Sequence, residues 1–194
     1  MSKVTIDTTI QLQQLLTEFA MINRRHYLPK SDRRENDAEH SLSVAILCWY
    51  IYDTQNLDLN LSKILKYALA HDIVEIYAGD TNTYASIEER KLKTIRERAA
   101  LEKIAADLGG FPSFAATIEA YESKTDEESR FVWTVDKMQM LLLGHLDHWR
   151  AYREQDISYE AFHAKQTEHL EQASPYARSV FEALVKFCLS SYQR

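Results

Sequence analysis

The stretch Leu61-Ser62-Lys63-Ile64-Leu65-Lys66-Tyr67-Ala68-Leu69-Ala70-His71-Asp72-Ile73-Val74-Glu75-Ile76-Tyr77-Ala78-Gly79-Asp80 decides how this chain reads. Leu61, Ile64, Leu65, Ala68, Leu69, Ile73 and Ile76 recur at spacings of three and four, the period of one buried helix face. Asp72 falls inside that stripe. Burying an unpaired carboxylate is costly, so Asp72 requires a cation, a strong donor pair or a metal. Glu75 follows His71 by four residues and Asp72 by three, which sets its side chain beside both on a helix. Gly79 is a helix stop that leaves Asp80 at the head of a loop able to turn back toward them. One imidazole and three carboxylates within a few turns suit metal-assisted hydrolysis: some hold the ion and another moves a proton.

Working outward, Asn36 caps the next helix with Glu39 at its third position, a relative of the capping box, and this puts His40 in the first turn. The helix continues through Leu42, Val44, Ala45, Ile46, Leu47, Cys48, Trp49 and Ile51, apolar on nearly all sides and therefore central. Downstream, Asp136 stands among Phe131, Val132, Trp133, Val135, Met138 and Met140, where an aspartate is anomalous without an inward partner. His40, His71, Asp72 and Asp136 thus form a candidate shell of two imidazoles and two carboxylates from three helices. Mixed nitrogen and oxygen donors suit one divalent transition metal (Mn, Co, Fe, Ni or Zn) better than calcium or magnesium.

Four glycines and three prolines in 194 residues, with apolar spacings of three and four and no strand alternation, predict an all-α fold. Helices are expected near 8–22, 37–54, 61–77, 86–108, 112–123, 126–153, 158–171 and 174–191. The connection from Arg24 to Asn36 carries Pro29 and four arginines, and reads as a binding loop or a solvated crossover. With 45% apolar residues and no low-complexity linker, one domain is expected, with a core at about 15–150 and further helices at 158–191 that cap it. A net charge of −6 without a basic block argues against nucleic-acid binding. Cys48 and Cys188 lie in apolar helical patterns without metal-knuckle spacing, as buried free thiols do, and no targeting or membrane-spanning segment is read. A cytoplasmic protein that does not bind membranes is expected.

The texts ENDAEHS, ALAHDIVEIYAGD and FVWTVDKMQMLL, in that order, resemble the HD-domain metal phosphohydrolases, in particular the branch of bacterial 5'-deoxynucleotidases and related small HD hydrolases. The resemblance covers roughly residues 15 to 150. It implies a helical HD-domain bundle with His40, His71, Asp72 and Asp136 as metal ligands, and Glu75 and Asp80 as acid/base or substrate-contacting carboxylates. An arginine of the Arg24-Arg25 pair would grip the phosphate. Counting back from His40 selects Arg25, while the text INR selects Arg24. The deoxynucleotidases carry a tryptophan after that arginine where this chain has Arg25 or His26, so the likeness does not extend to deoxyribose. The implied substrate is a nucleoside 5'-monophosphate or a similar small phosphomonoester, and a homodimer is what related small hydrolases suggest.

Within the same resemblance stand a guanosine-tetraphosphate-type pyrophosphohydrolase and a nucleotide-binding regulatory module without turnover. Two-metal HD oxygenases and cyclic-dinucleotide phosphodiesterases need further imidazoles, and no histidine lies between Asp72 and Gly144. His145 and His148 with Asp147 mimic a metal site, but only position 145 continues the core stripe. His163 and His169 read as surface or packing residues, and Tyr121-Glu122 as either a site pair or a surface pair.

Overall fold

A computed structural model describes residues 5–79, 82–84 and 86–192. It is 72% helical with one two-stranded sheet, as the apolar spacing requires. The elements are α1 (Ile6–Phe19), β1 (Asn23–Tyr27), β2 (Arg34–Asn36), α2 (Asp37–Gln55), α3 (Leu61–Ala70), α4 (Glu75–Ala78) and α5 (Ile87–Asp107), then α6 (Pro112–Ser123), α7 (Glu127–Leu146), α8 (Arg150–Glu154), α9 (Tyr159–Gln172) and α10 (Arg178–Tyr192). Among the described residues no helix is long and apolar enough to cross a membrane.

Side-chain caps set where these helices begin. Thr5, Asn60, Asp126 and Ser158 each accept from a backbone N–H of the following turn. At α2 the expected box forms: the Glu39 N–H donates to Asn36 Oδ1 at 3.0 Å and the Asn36 N–H to Glu39 Oε2 at 3.1 Å. Fixing that entry turn fixes His40.

Two apolar clusters hold the bundle. The larger joins Val44 and Cys48 of α2, Ile64 of α3, Phe131, Val135 and Leu141 of α7, Phe162 of α9 and Phe181 and Cys188 of α10. The C-terminal helices therefore complete the core as well as covering it. The smaller unites Leu15 and Phe19 of α1, Ile73 and Val74, Ile104 of α5 and Ile118 of α6. Both cysteines are buried free thiols, and burial pushes Cys188 up to about 12.

Three expectations need correction. The connection from Arg24 to Asn36 is a hairpin rather than an open loop or a crossover: β1 and β2 pair antiparallel around a turn over 28–33, with Asn23 opposite Asn36, Tyr27 opposite Arg34 and an irregular register between Asn23 and Tyr27. Such short strands carry too little alternation to read. Tertiary contacts hold them, the Tyr27 ring meeting the guanidinium groups of Arg34 at 4.5 Å and Arg150 at 3.9 Å. The helix expected over 61–77 ends at Ala70, and a turn over 71–74 precedes the short α4, which Gly79 terminates at φ 75°. The helix expected over 126–153 divides where His148 and Trp149 adopt left-handed backbone (φ 52° and 62°). Gly144 lets α8 fold back there, since a Cβ at that position would stand 2.9 Å from both the Trp149 and Tyr152 rings.

Candidate metal centre

α2, α7 and the turn after α3 converge on one buried point. His40 is fully enclosed, and His71 is 2% exposed. A ligand atom from each of His40, His71 and Asp72 lies within 4.8 Å of the other two. Asp136 joins through His40, its Oδ1 standing 3.1 Å from His40 Nε2. The four residues expected to form one shell are thus gathered, Asp136 through the His40 ring.

The hydrogen bonds of the two rings say how each would meet a cation. His71 Nδ1 lies 2.9 Å from the Ala68 carbonyl oxygen, which can only accept, so Nδ1 carries the proton. Its Nε2 is buried without a hydrogen-bond partner, although Asp72 Oδ2 stands 3.2 Å away. Two electron-rich atoms so placed, with no bond between them, fit a cation that both could ligate. His40 follows the same logic: Nδ1 meets Gln139 Oε1 at 3.0 Å, and the Gln139 amide is oriented by donating to Glu35 Oε1 at 2.7 Å. That leaves His40 Nε2 toward Asp136 and, at 3.6 Å, Asp72. Burial and Arg24 press His40 downward, but the bonds to Asp136 and Glu35 prevail and raise it to about 9. Without metal this ring carries a proton where an ion would sit.

Charge gives an independent reason to place a cation here. Glu35, Asp37, Glu75 and Asp136 are buried, and Asp72 is largely so. Arg24 meets several of them: its Nη1 donates to Asp72 Oδ2 at 2.7 Å and Asp37 Oδ1 at 3.1 Å, and lies 4.0 Å from Glu75 Oε2. Lys137 donates to Asp136 at 2.7 Å, and Lys93 stands 3.9 Å from Glu75. Asp72, although penalised by burial, is held well below the usual carboxylate range by the positive charge around it, Arg24 donating to it directly. Lys137 and His40 do the same for Asp136. Five buried or largely buried carboxylates gathered about one point, with Arg24, Lys93 and Lys137 among their partners, make a setting that suits a divalent ion.

Arg24 is 9% exposed and bound into this acidic cluster, whereas its neighbour Arg25 is exposed. Glu75 is buried and forms a second group with Asp37 and Asp72, whose oxygens lie within 4.8 Å of one another. Asp80 lies outside the described residues. Tyr121 is buried edge-on to His71, 5.6 Å between centroids, while Glu122 is exposed. His145 packs against Phe187 and His148 is exposed, so that pair makes no site. His163 is exposed; His169 is buried edge-on to Trp133 and lines a cleft beside the centre.

The sequence reading did not single out Glu35, Asp37, Gln139, Lys93 or Lys137 as part of the site. Gln139 had a signal, a polar residue three positions after Asp136 in an apolar run. Glu35 and Asp37 read as cap neighbours of Asn36, and nothing in the text around Lys93 points inward.

The chain belongs to the HD domain family, whose model matches residues 21–178. It is 22% identical over 143 residues to the 5'-deoxynucleotidase HDDC2 of Danio rerio, the match covering 72% of this chain and 70% of that protein. To the human protein of the same description it is 25% identical over 138 residues, covering 69% of this chain and 65% of the relative. The crystal structure of a predicted metal-dependent phosphohydrolase from Magnetospirillum magnetotacticum shares the fold, with a TM-score of 0.78 and 23% identity, over 98% of this chain and 97% of that one.

Proposed function

We propose that the protein is a metal-dependent phosphohydrolase that removes phosphate from a nucleoside 5'-monophosphate or a similar small phosphomonoester. The observation that carries this reading is the pair of His71 Nε2 and Asp72 Oδ2, buried, 3.2 Å apart and without a hydrogen bond between them, with His40 alongside. His40, His71, Asp72 and Asp136 are the proposed ligands of one divalent transition ion, Mn, Co, Fe, Ni or Zn. Bound there, such an ion supplies Lewis acidity toward a phosphoryl oxygen and lowers the pKa of a coordinated water.

The chain's own groups supply the rest. Arg24, Arg25 and Lys137 line one cleft beside the centre and draw the phosphate toward it. Arg24, fixed by Asp37 and Asp72, delivers its charge without reorganisation. Glu75, in the same acidic cluster, is the proposed proton-transfer carboxylate, with Asp80 the proposed group that orients water or leaving group. The buried free thiols support a reducing, cytoplasmic setting. The description of the relatives as 5'-deoxynucleotidases supports a nucleotide as substrate.

The test is phosphate release from a nucleotide panel with added manganese or cobalt, alongside metal stoichiometry. Asp72→Ala is expected to lose both metal and activity. Full metal content in that variant would remove Asp72 from the ligand set. Tight nucleotide binding without release by the intact protein would favour a regulatory module.

A further inference from the structure

A partly open cleft lined by residues of β1, α7, α8 and α9 runs from beside the metal centre into the C-terminal helices. None of the four proposed metal ligands lines it; it reaches them through Arg24, which binds Asp72, and Lys137, which binds Asp136. With Arg25, these make its phosphate end cationic. Away from that end the walls change character. His26, Tyr84 and Tyr152 contribute rings, with Tyr152 lying 5.2 Å from His26 and 6.3 Å from Tyr84 between centroids. A bare phosphomonoester has no use for an aromatic wall, whereas a flat heterocycle does.

Most amides of the cleft are already engaged. Asn82 donates to Gln155 at 3.0 Å, and Gln155 donates to the Ala151 carbonyl at 2.8 Å. Gln166 of α9 differs: it is 3% exposed, it lines the cleft, and its Oε1 has no hydrogen-bond partner. A buried acceptor left unsatisfied is uncommon in a folded protein and invites a ligand donor. The amide's NH2 side faces the Tyr84 hydroxyl, from the segment that joins α4 to α5, which leaves Oε1 as the open acceptor.

We infer that this cleft holds the nucleoside portion of the substrate, and that Gln166 is a specificity-determining residue accepting a hydrogen bond from an N–H donor on the base. The inference rests on the phosphohydrolase reading for the direction in which substrate lies, phosphate at Arg24, Arg25 and Lys137 and base at Gln166. It adds that α9, remote in sequence from every proposed metal ligand, reads the substrate.

The experiment compares adenosine, guanosine, cytidine and uridine 5'-monophosphates with ribose 5-phosphate on the manganese-loaded protein, with Gln166→Met as a variant of similar shape lacking the acceptor. The ratio of kcat/KM for the best nucleotide over ribose 5-phosphate is expected to exceed unity clearly in the natural protein. In Gln166→Met it is expected to fall by about tenfold, chiefly through KM, as loss of one buried hydrogen bond predicts. Tyr84→Phe removes only a hydroxyl and is expected to lower the ratio in the same direction, so the idea does not depend on one variant folding. Equal loss on nucleotide and ribose 5-phosphate, or a ratio unmoved in both variants, overturns it. Calorimetric binding of the unphosphorylated nucleosides separates the two readings because it needs no turnover. Nucleoside binding that weakens in Gln166→Met, with no phosphate released from any nucleotide, would keep the cleft assignment and refute the hydrolase. Equal cleavage of nucleotides and ribose 5-phosphate, with no nucleoside binding, would do the reverse.

Discussion

At the scale of single residues, a proton and a metal compete for one nitrogen. His40, raised to about 9 in the metal-free protein, holds a proton on Nε2 through neutral pH, so an ion must displace it. Metal affinity is therefore expected to rise with pH and level off above about 9, and calorimetry in buffers of different ionisation enthalpy should show roughly one proton released per ion near pH 7. A pH-independent affinity would remove His40 Nε2 from the ligand set. Glu75→Gln tests the other role. It should keep the metal, since Glu75 is no proposed ligand, and lose about 10²- to 10⁴-fold in kcat. A natural rate would leave Glu75 without a catalytic part. These proposed ligands were readable because a buried aspartate between apolar neighbours, as at Asp72 and Asp136, contradicts its surroundings. Glu35 and Asp37 were not, because beside a cap residue a carboxylate needs no further explanation.

At the scale of elements, the helices followed from apolar spacing and capping residues, while their interruptions followed from contacts distant in sequence. Nothing near His148 and Trp149 requires left-handed backbone; Trp149 turns to meet Phe162 and Tyr192, rings supplied by α9 and α10. The α7–α8 reversal depends on Gly144, where an added methyl would press on Trp149 and Tyr152. Gly144→Ala is expected to cost roughly 1–3 kcal/mol, measured as a lowered denaturant midpoint with an unchanged slope. Because Tyr152 also lines the cleft, the same variant should weaken nucleotide binding more than metal binding. Stability equal to that of the natural chain would show that the two rings move aside freely.

At the scale of the whole molecule, the C-terminal helices were expected as a cap and prove to supply core. Phe162 and Phe181 are fully buried in the cluster that includes Val44 and Phe131. We therefore propose one cooperative unit, and predict that calorimetry yields a single unfolding transition whose calorimetric and van't Hoff enthalpies agree. A separate low-temperature transition that leaves metal binding intact would mark α9 and α10 as an independent domain.

The β1 strand carries one more lesson. Between Asn23 and Tyr27 the register with β2 is irregular, and in that stretch Arg24 is enclosed among carboxylates while Arg25 meets solvent. The doublet is thus a division of labour rather than a spare copy. One guanidinium belongs to the interior wiring of the protein and its twin to the doorway.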